Sequence, residues 1–207
     1  MKKALHVEDH PVVRAAVSLV LEREGFKVIY EASSFGEALS ILRENEIDLA
    51  IVDLSLSDGE GISLIERITA SDWSCRVVVF TASNPSLFQQ RCMLAGAMAY
   101  VAKDTDLSQL RKAVHAVKGG YTFFKQLSSG PQDPGQRSEK AMIDKLSTRE
   151  LAVLRYLAQG MTNKAIAERM NLSVKTTSTY TTRLVLKLGV KSKVFLREFV
   201  LRNGLNT

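Results

Sequence analysis

The pair Glu8-Asp9, then Asp53, Thr81 and Lys103, each stand at the exit of a short apolar run: residues 4–7, 49–52, 77–80 and 99–102. In an open parallel sheet, groups beyond the carboxyl ends of the strands share one edge. Three carboxylates, a hydroxyl and an ammonium would then meet. Clustered carboxylates repel, and a hard divalent cation with oxygen ligands, Mg2+, relieves that repulsion. A phosphoryl donor reaching the metal would meet Asp53 as nucleophile, with Thr81 and Lys103 placed to bind the equatorial phosphoryl oxygens. Singly, each residue has a plainer reading: an Asp at a strand end is commonly a helix cap, and a lone Lys is commonly solvated. The order across consecutive units carries the chemistry.

A fifth run, residues 28–30, completes the strand set, and amphipathic segments lie between the runs. In the first segment Val12, Val13, Ala16, Val17, Val20 and Leu21 recur on one helical face, opening with Pro11 and closing at Gly25. In the last, Leu107, Leu110, Val114 and Val117 lead to Gly119-Gly120. Parallel strands need crossovers, so five such units over residues 1–124 imply a doubly wound five-stranded parallel sheet. His6 falls within a strand, His10 before Pro11 and His115 on a helix. None has a second His or Cys at ligand spacing, so all three read as structural or surface residues. Cys75 and Cys92 are the only cysteines and lie in apolar segments, as reduced thiols of a cytoplasmic protein do. No apolar run approaches the ~20 residues of a membrane span, and no membrane partner is expected.

Residues 125–143 read as a flexible linker, because Ser128-Ser129-Gly130-Pro131-Gln132-Asp133-Pro134-Gly135 is turn-forming, polar and aperiodic. Residues 144–207 then read as a small all-helical domain. Ser147-Thr148-Arg149-Glu150 is a capping box ahead of Leu151, Val153, Leu154 and Leu157. Gly160 ends that helix, Thr162 or Asn163 starts the next, and Ser173 caps a third. Charge divides with the domains. Residues 1–125 hold 14 Lys and Arg against 16 Asp and Glu, whereas residues 126–207 hold 14 against 6. The basic excess of the last third points to a polyanion.

At 100° per residue, Thr177, Thr181, Leu184 and Leu188 stack on one side of the third helix, while Lys175, Ser178, Thr179 and Thr182 share the other. The second face is polar and free of carboxylates, which suits a DNA major groove. Arg183, Lys187, Lys191 and Lys193 flank it as phosphate partners, and Lys164 stands at the start of the preceding helix, where backbone N–H groups also attract a phosphate.

Residues 1–124 resemble the flavodoxin-like receiver domains of two-component response regulators. The resemblance rests on Glu8-Asp9, Val52-Asp53-Leu54, Asp58-Gly59-Glu60-Gly61, Thr81-Ala82-Ser83, Ala95-Gly96-Ala97 and Tyr100-Val101-Ala102-Lys103. It implies a phosphoacceptor at Asp53, Mg2+ on Glu8, Asp9, Asp53 and the backbone carbonyl of Ser55, and a phosphate-sensing pair in Thr81 and Lys103. Tyr100 falls at the switch aromatic, expected to follow inward when Asp53 is phosphorylated. Ser57 departs from the usual proline, which implies a looser turn.

Residues 146–203 resemble the helix-turn-helix of the NarL/LuxR group, on Leu146-Ser147-Thr148-Arg149-Glu150, Leu157-Ala158-Gln159-Gly160, Thr162-Asn163-Lys164-Ala165-Ile166-Ala167 and Lys187-Leu188-Gly189-Val190. Thr177, Ser178 and Tyr180 depart from the group's usual residues, so base preference does not carry over. Val194, Phe195, Leu196, Phe199, Val200 and Leu201 make the last helix too apolar for one buried face, and in this group that helix forms a dimer contact. Together the resemblances imply a response regulator of the NarL/FixJ type and not an enzyme. Its expected partners are a sensor histidine kinase, promoter DNA, a second copy of itself and RNA polymerase. A hydrolase using Asp53 would want a second carboxylate at position 55, which is Ser. A regulator working without phosphorylation leaves the acidic set unexplained, and a pure interaction module leaves the basic helices unexplained.

Overall fold

In the computed structural model, which describes residues 2–56, 58–125, 139 and 141–203, the chain divides into two compact units, Met1–Leu127 and Ser128–Thr207. Ser57 and most of the linker stretch lie outside the described residues. In the first unit, β1 (Lys3–Val7), β2 (Val28–Ala32), β3 (Leu49–Val52), β4 (Arg76–Thr81) and β5 (Ala99–Ala102) alternate with α1 (Pro11–Arg23), α2 (Phe35–Glu44), α3 (Gly61–Ala70), α4 (Pro85–Leu94) and α5 (Leu107–Lys118). The sheet is parallel throughout, in the order β2-β1-β3-β4-β5. This is the doubly wound sheet that the alternation of patterns implied.

Alternate strand residues go to opposite faces. Ala4, Leu49, Ile51, Val78, Phe80, Ala99 and Val101 pack with Val17, Val20 and Leu21 of α1 and with Leu110, Ala113, Val114 and Val117 of α5. Val12 was grouped with that apolar face, but it is 84% exposed. It stands about 100° around the helix from Val13, beyond the stripe that reaches the sheet. At the far end of α1, the buried Glu24 carboxylate meets Arg111 Nε at 3.0 Å and His115 Nδ1 at 3.3 Å, both from α5. Burial opposes its charge, but the bonds from Arg111, His115 and Lys118 outweigh that and hold its pKa below the usual carboxylate range.

The order of strands reverses around β1, so the crevice beside β1 and β3 is a topological switch point. Val7 pairs with Val52 in register, and Thr81 pairs with Ala102. Glu8 and Asp53 therefore leave adjacent strands side by side, with Lys103 one residue beyond the partner of Thr81. The turn after Asp53 is shaped by Gly61: a Cβ there would lie 2.1 Å from the Asp53 carbonyl oxygen, so only glycine lets α3 start against the backbone of the site. Asp58 in the same turn accepts from the N–H groups of Phe35 at 2.6 Å and Gly36 at 3.0 Å, closing the start of α2. The chain after α5 returns along β5: Phe123 N–H donates to the Met98 carbonyl at 2.8 Å and Tyr100 N–H to the Phe123 carbonyl at 3.1 Å.

The second unit contains α6 (Thr148–Ala158), α7 (Asn163–Arg169), α8 (Val174–Lys187) and α9 (Lys193–Arg202). Residues 141–143, assigned to the linker from composition, are helical, and Ile143 is buried. Composition registers the Pro and Gly cluster but not where an apolar contact restarts the helix. The Ser147–Glu150 capping box is present, and Thr162 and Ser173 cap α7 and α8. Gly160 has a φ of +84°, which glycine alone adopts without strain. In α9, Leu196, Phe199 and Val200 are buried while Val194, Phe195 and Leu201 are exposed, so its apolar residues do occupy more than one face.

Candidate functional site

Lys103 is the centre of the acidic pocket. Its Nζ lies 2.8 Å from Asp53 Oδ2 and 2.5 Å from Glu8 Oε2, both carboxylates being almost wholly buried. Burial disfavours the ammonium, but Asp53 and then Glu8 outweigh burial and hold its pKa above the usual lysine value. Three carboxylates against one ammonium still leave the pocket acidic. Asp9, one residue on, is half-buried, and Asp53 Oδ1 accepts from Ser55 N–H at 3.3 Å. Thr81 is fully buried at the end of β4, where its hydroxyl turns to Ser83: Oγ1 accepts from Ser83 N–H at 3.2 Å and lies 3.3 Å from Ser83 Oγ. Tyr100 is 3% exposed and donates its hydroxyl proton to the Ser83 carbonyl at 2.7 Å. It was expected to reach an inward position on phosphorylation, and it already occupies one, because that carbonyl gives its hydroxyl an acceptor inside.

Two neighbours of the pocket were not singled out from sequence. The sequence reads His10 as a structural or surface residue, and its side chain is 72% exposed, yet Nδ1 lies 2.7 Å from Asp9 Oδ1 and 3.1 Å from Glu8 Oε1. Glu8, Asp9 and His10 thus bring three ligand atoms within 4.8 Å of one another. Arg14, one turn into α1, donates to the Glu8 carbonyl at 2.6 Å. The available signal was position alone, since His10 follows the acidic pair and Arg14 lies four residues after it. His6 is buried in β1, and burial, then Lys103 and Arg14, push its pKa down to about 3. It is a neutral core histidine. Burial likewise pushes the Cys75 and Cys92 thiols up to about 12, so neither is a reactive thiolate at neutral pH.

In the helical unit, Lys175, Thr179, Thr182 and Arg183 of α8 are exposed together, with Lys164 on α7 and Lys191 after α8 also exposed. Thr177, Thr181, Leu184 and Leu188 are buried, as their spacing requires. Ser178 is half-buried instead of fully outward: its Oγ accepts from Asn163 Nδ2 at 3.1 Å, and Asn163 Oδ1 lies 3.4 Å from Thr181 Oγ1. Those bonds fasten α7 to α8. Lys187 also differs from expectation. Its ammonium lies 2.7 Å from Glu150 Oε2, and Glu150 is the buried capping-box carboxylate of α6.

Burial raises the Glu150 pKa, but Lys187 and the Ser147 N–H outweigh burial and leave it below the usual carboxylate range. Because the folded value is depressed, the resulting stability is present above the unfolded pKa and is lost as pH falls through the folded one. The pair is partly exposed at Lys187, so its worth lies between that of surface and buried pairs. Lys187→Ala should therefore cost about 1–2 kcal/mol of stability near neutral pH and little at a pH where Glu150 is protonated. Urea titrations at both pH values measure this, and an equal loss at both would remove the ion pair as the cause.

Residues 4–115 match the family described as response regulator receiver domain, and residues 144–199 match the bacterial regulatory proteins of the luxR family. The chain is 42% identical over 205 residues to BvgA, a virulence-factor transcription regulator of Bordetella pertussis, covering 98% of each. It is 31% identical over 200 residues to the DNA-binding transcriptional activator EvgA of Escherichia coli, covering 97% of this chain and 98% of that one. Among solved structures, RcsB from Salmonella enterica serovar Typhimurium, bound to promoter rprA in the presence of the phosphomimetic BeF3−, matches with a TM-score of 0.68 and 26% identity. That match covers 97% of this chain and 99% of the other. With a receiver fold carrying the acidic pocket and a LuxR-type helix-turn-helix after it, the chain belongs to the two-component response regulators of the NarL/FixJ type.

Proposed function

We propose that the chain accepts a phosphoryl group from a sensor histidine kinase on Asp53 and, as a dimer, binds promoter DNA under that control. The observation carrying this reading is the buried Glu8–Lys103–Asp53 bridge at the carboxyl edge of the sheet. The donor set fits a hard cation: Glu8, Asp9 and Asp53, with the carbonyl of Ser55, would hold Mg2+. Bound there, Mg2+ would screen the carboxylates and polarise the oxygens of the incoming phosphoryl group. An Asp53 carboxylate oxygen attacks the phosphorus of a phosphohistidine, the P–N bond breaks, and the imidazole leaves and takes a proton from solvent. An aspartyl phosphate remains. Lys103 Nζ, already on Asp53, and Thr81, on turning from Ser83, bind the phosphoryl oxygens. Within the class of binding proteins, this assigns Asp53 self-labelling and not turnover of a substrate.

On the helical unit, α8 enters the major groove with Lys175, Ser178, Thr179 and Thr182, while Lys164, Arg183 and Lys191 neutralise phosphates, and Lys187 contributes through Glu150 and the general field. RNA polymerase is the next partner for a regulator so placed. No helix among the described residues is long and apolar enough to cross a membrane, and the proposed DNA-bound role supports a cytoplasmic location. Three phosphate partners per copy, Lys164, Arg183 and Lys191, give a dimer a slope of about −5 for log affinity against log salt. Arg183→Ala should flatten that slope by about 2 for the dimer and weaken all sequences alike. Titration of the full-length chain on duplex DNA across salt concentrations measures this, and a salt-independent affinity defeats the reading.

A further inference from the structure

On the groove face of α8, the hydroxyl protons of Thr179 and Thr182 are already spent. Thr179 Oγ1 donates to the Lys175 carbonyl at 3.0 Å, and Thr182 Oγ1 donates to the Ser178 carbonyl at 3.1 Å. A threonine bonded back to the residue four before it turns its methyl group and the remaining oxygen lone pairs outward. Both residues are exposed, and at 100° per residue they lie within about 60° of one another, between Lys175 at the start of the stripe and Leu186 at its end. Leu186 is 74% exposed and adds more apolar surface to the same stripe. At Thr179 and Thr182 this face therefore offers methyl groups and acceptors but no free hydroxyl donor.

Bases differ in what they show to such a face. Guanine presents two acceptors, N7 and O6, in the major groove and asks for donors. Thymine presents its C5-methyl, adenine its N6 amino donor, and cytosine an N4 donor without a methyl. From the two back-bonded hydroxyls we infer that Thr179 and Thr182 select A·T pairs at the centre of each half-site, by packing their methyls on thymine C5-methyl groups and accepting from adenine N6. Guanine there would leave its acceptors unpaired against a methyl. The inference rests on α8 occupying the major groove, as proposed above, and adds which chemical group is read.

The test uses the full-length chain, treated with acyl phosphate and Mg2+, on a duplex enriched by this protein from a random-sequence pool. Replacing each central thymine by uracil removes only the methyl. Wild type should lose about fourfold in affinity for each methyl removed, the worth of one buried CH3 group. Thr182→Val keeps the methyl and drops the back-bonded hydroxyl, so it should preserve the preference for thymine over uracil at its own base pair. Thr182→Ser keeps the hydroxyl and drops the methyl, so it should abolish that preference. Circular dichroism of both variants checks that α8 is intact. If the enriched centre is G·C, or if uracil binds as well as thymine, the inference falls while the placement of α8 stands, provided Thr182→Ser still changes which sequence is enriched. If neither variant alters sequence selection while DNA binding persists, the placement of α8 in the groove falls with it.

Discussion

After incubation with a small acyl phosphate and Mg2+, the intact mass of the wild-type chain should rise by one phosphoryl group, and that of Asp53→Asn should not rise at all. The expectation comes from geometry and charge together. Asp53 is 4% exposed, at the switch point of the sheet, and Lys103 bridges it to Glu8. An anionic donor approaching three carboxylates and one ammonium meets net repulsion, which a divalent cation cancels. Cation stabilisation of phosphoryl charge is worth several kcal/mol, so chelating Mg2+ should slow uptake about 100-fold or more. Asn at position 53 keeps the size and the Ser55 and Lys103 neighbours but lacks the nucleophilic oxygen anion. Equal labelling of wild type and Asp53→Asn would remove Asp53 from its proposed role, and uptake unaffected by chelation would remove the metal.

Phosphorylation of the full-length chain should raise operator occupancy by about 5–150-fold, with measurable binding before phosphorylation, because allosteric couplings are typically about 1–3 kcal/mol. A phosphoryl group acts only through its differential interaction with two states. It replaces the single negative charge of the Asp53 carboxylate with about −1.5 to −2, a net gain of about −0.5 to −1, beside Lys103. Tyr100 is buried and bonded to the Ser83 carbonyl. On the proposed role of Thr81, its hydroxyl would leave Ser83 to reach the phosphoryl oxygens and so disturb the loop whose carbonyl holds Tyr100. Tyr100 in turn donates its backbone N–H to Phe123, at the beginning of the chain that leaves the receiver. Thr81→Ala should therefore accept a phosphoryl group and yet lose most of the gain in DNA affinity. Sedimentation and operator titrations of both proteins, with and without acyl phosphate, measure the coupling. Unchanged dimerisation and DNA affinity at full phosphorylation would show that Asp53 does not control this chain, and a full gain in Thr81→Ala would move the relay elsewhere.

The order of chemistry-bearing residues in the chain was enough to place the pocket. Glu8, Asp53, Thr81 and Lys103 follow four apolar runs, and parallel strands put all their exits on one edge, so β-strand topology converts sequence spacing into proximity. The helix caps at Ser147, Thr162 and Ser173 were legible for the same reason, since a cap bonds to N–H groups two or three residues away. The buried stripe of α8 followed from its period. What only the tertiary structure decided involves partners distant along the chain. Lys187 is engaged with Glu150, 37 residues earlier, and Ser178 with Asn163, 15 residues earlier, so two residues that periodicity assigns to the DNA surface also hold the helices together. Periodicity fixes the direction in which a side chain leaves its own helix, but the neighbour it meets depends on how helices cross. Tyr100 shows the same limit: strand alternation gives its face, while its inward position depends on a carbonyl 17 residues away. The hydroxyl protons of Thr179 and Thr182 were equally invisible, because a threonine rotamer is chosen by its helix backbone and its packing, and that choice determines which group is left to meet a base.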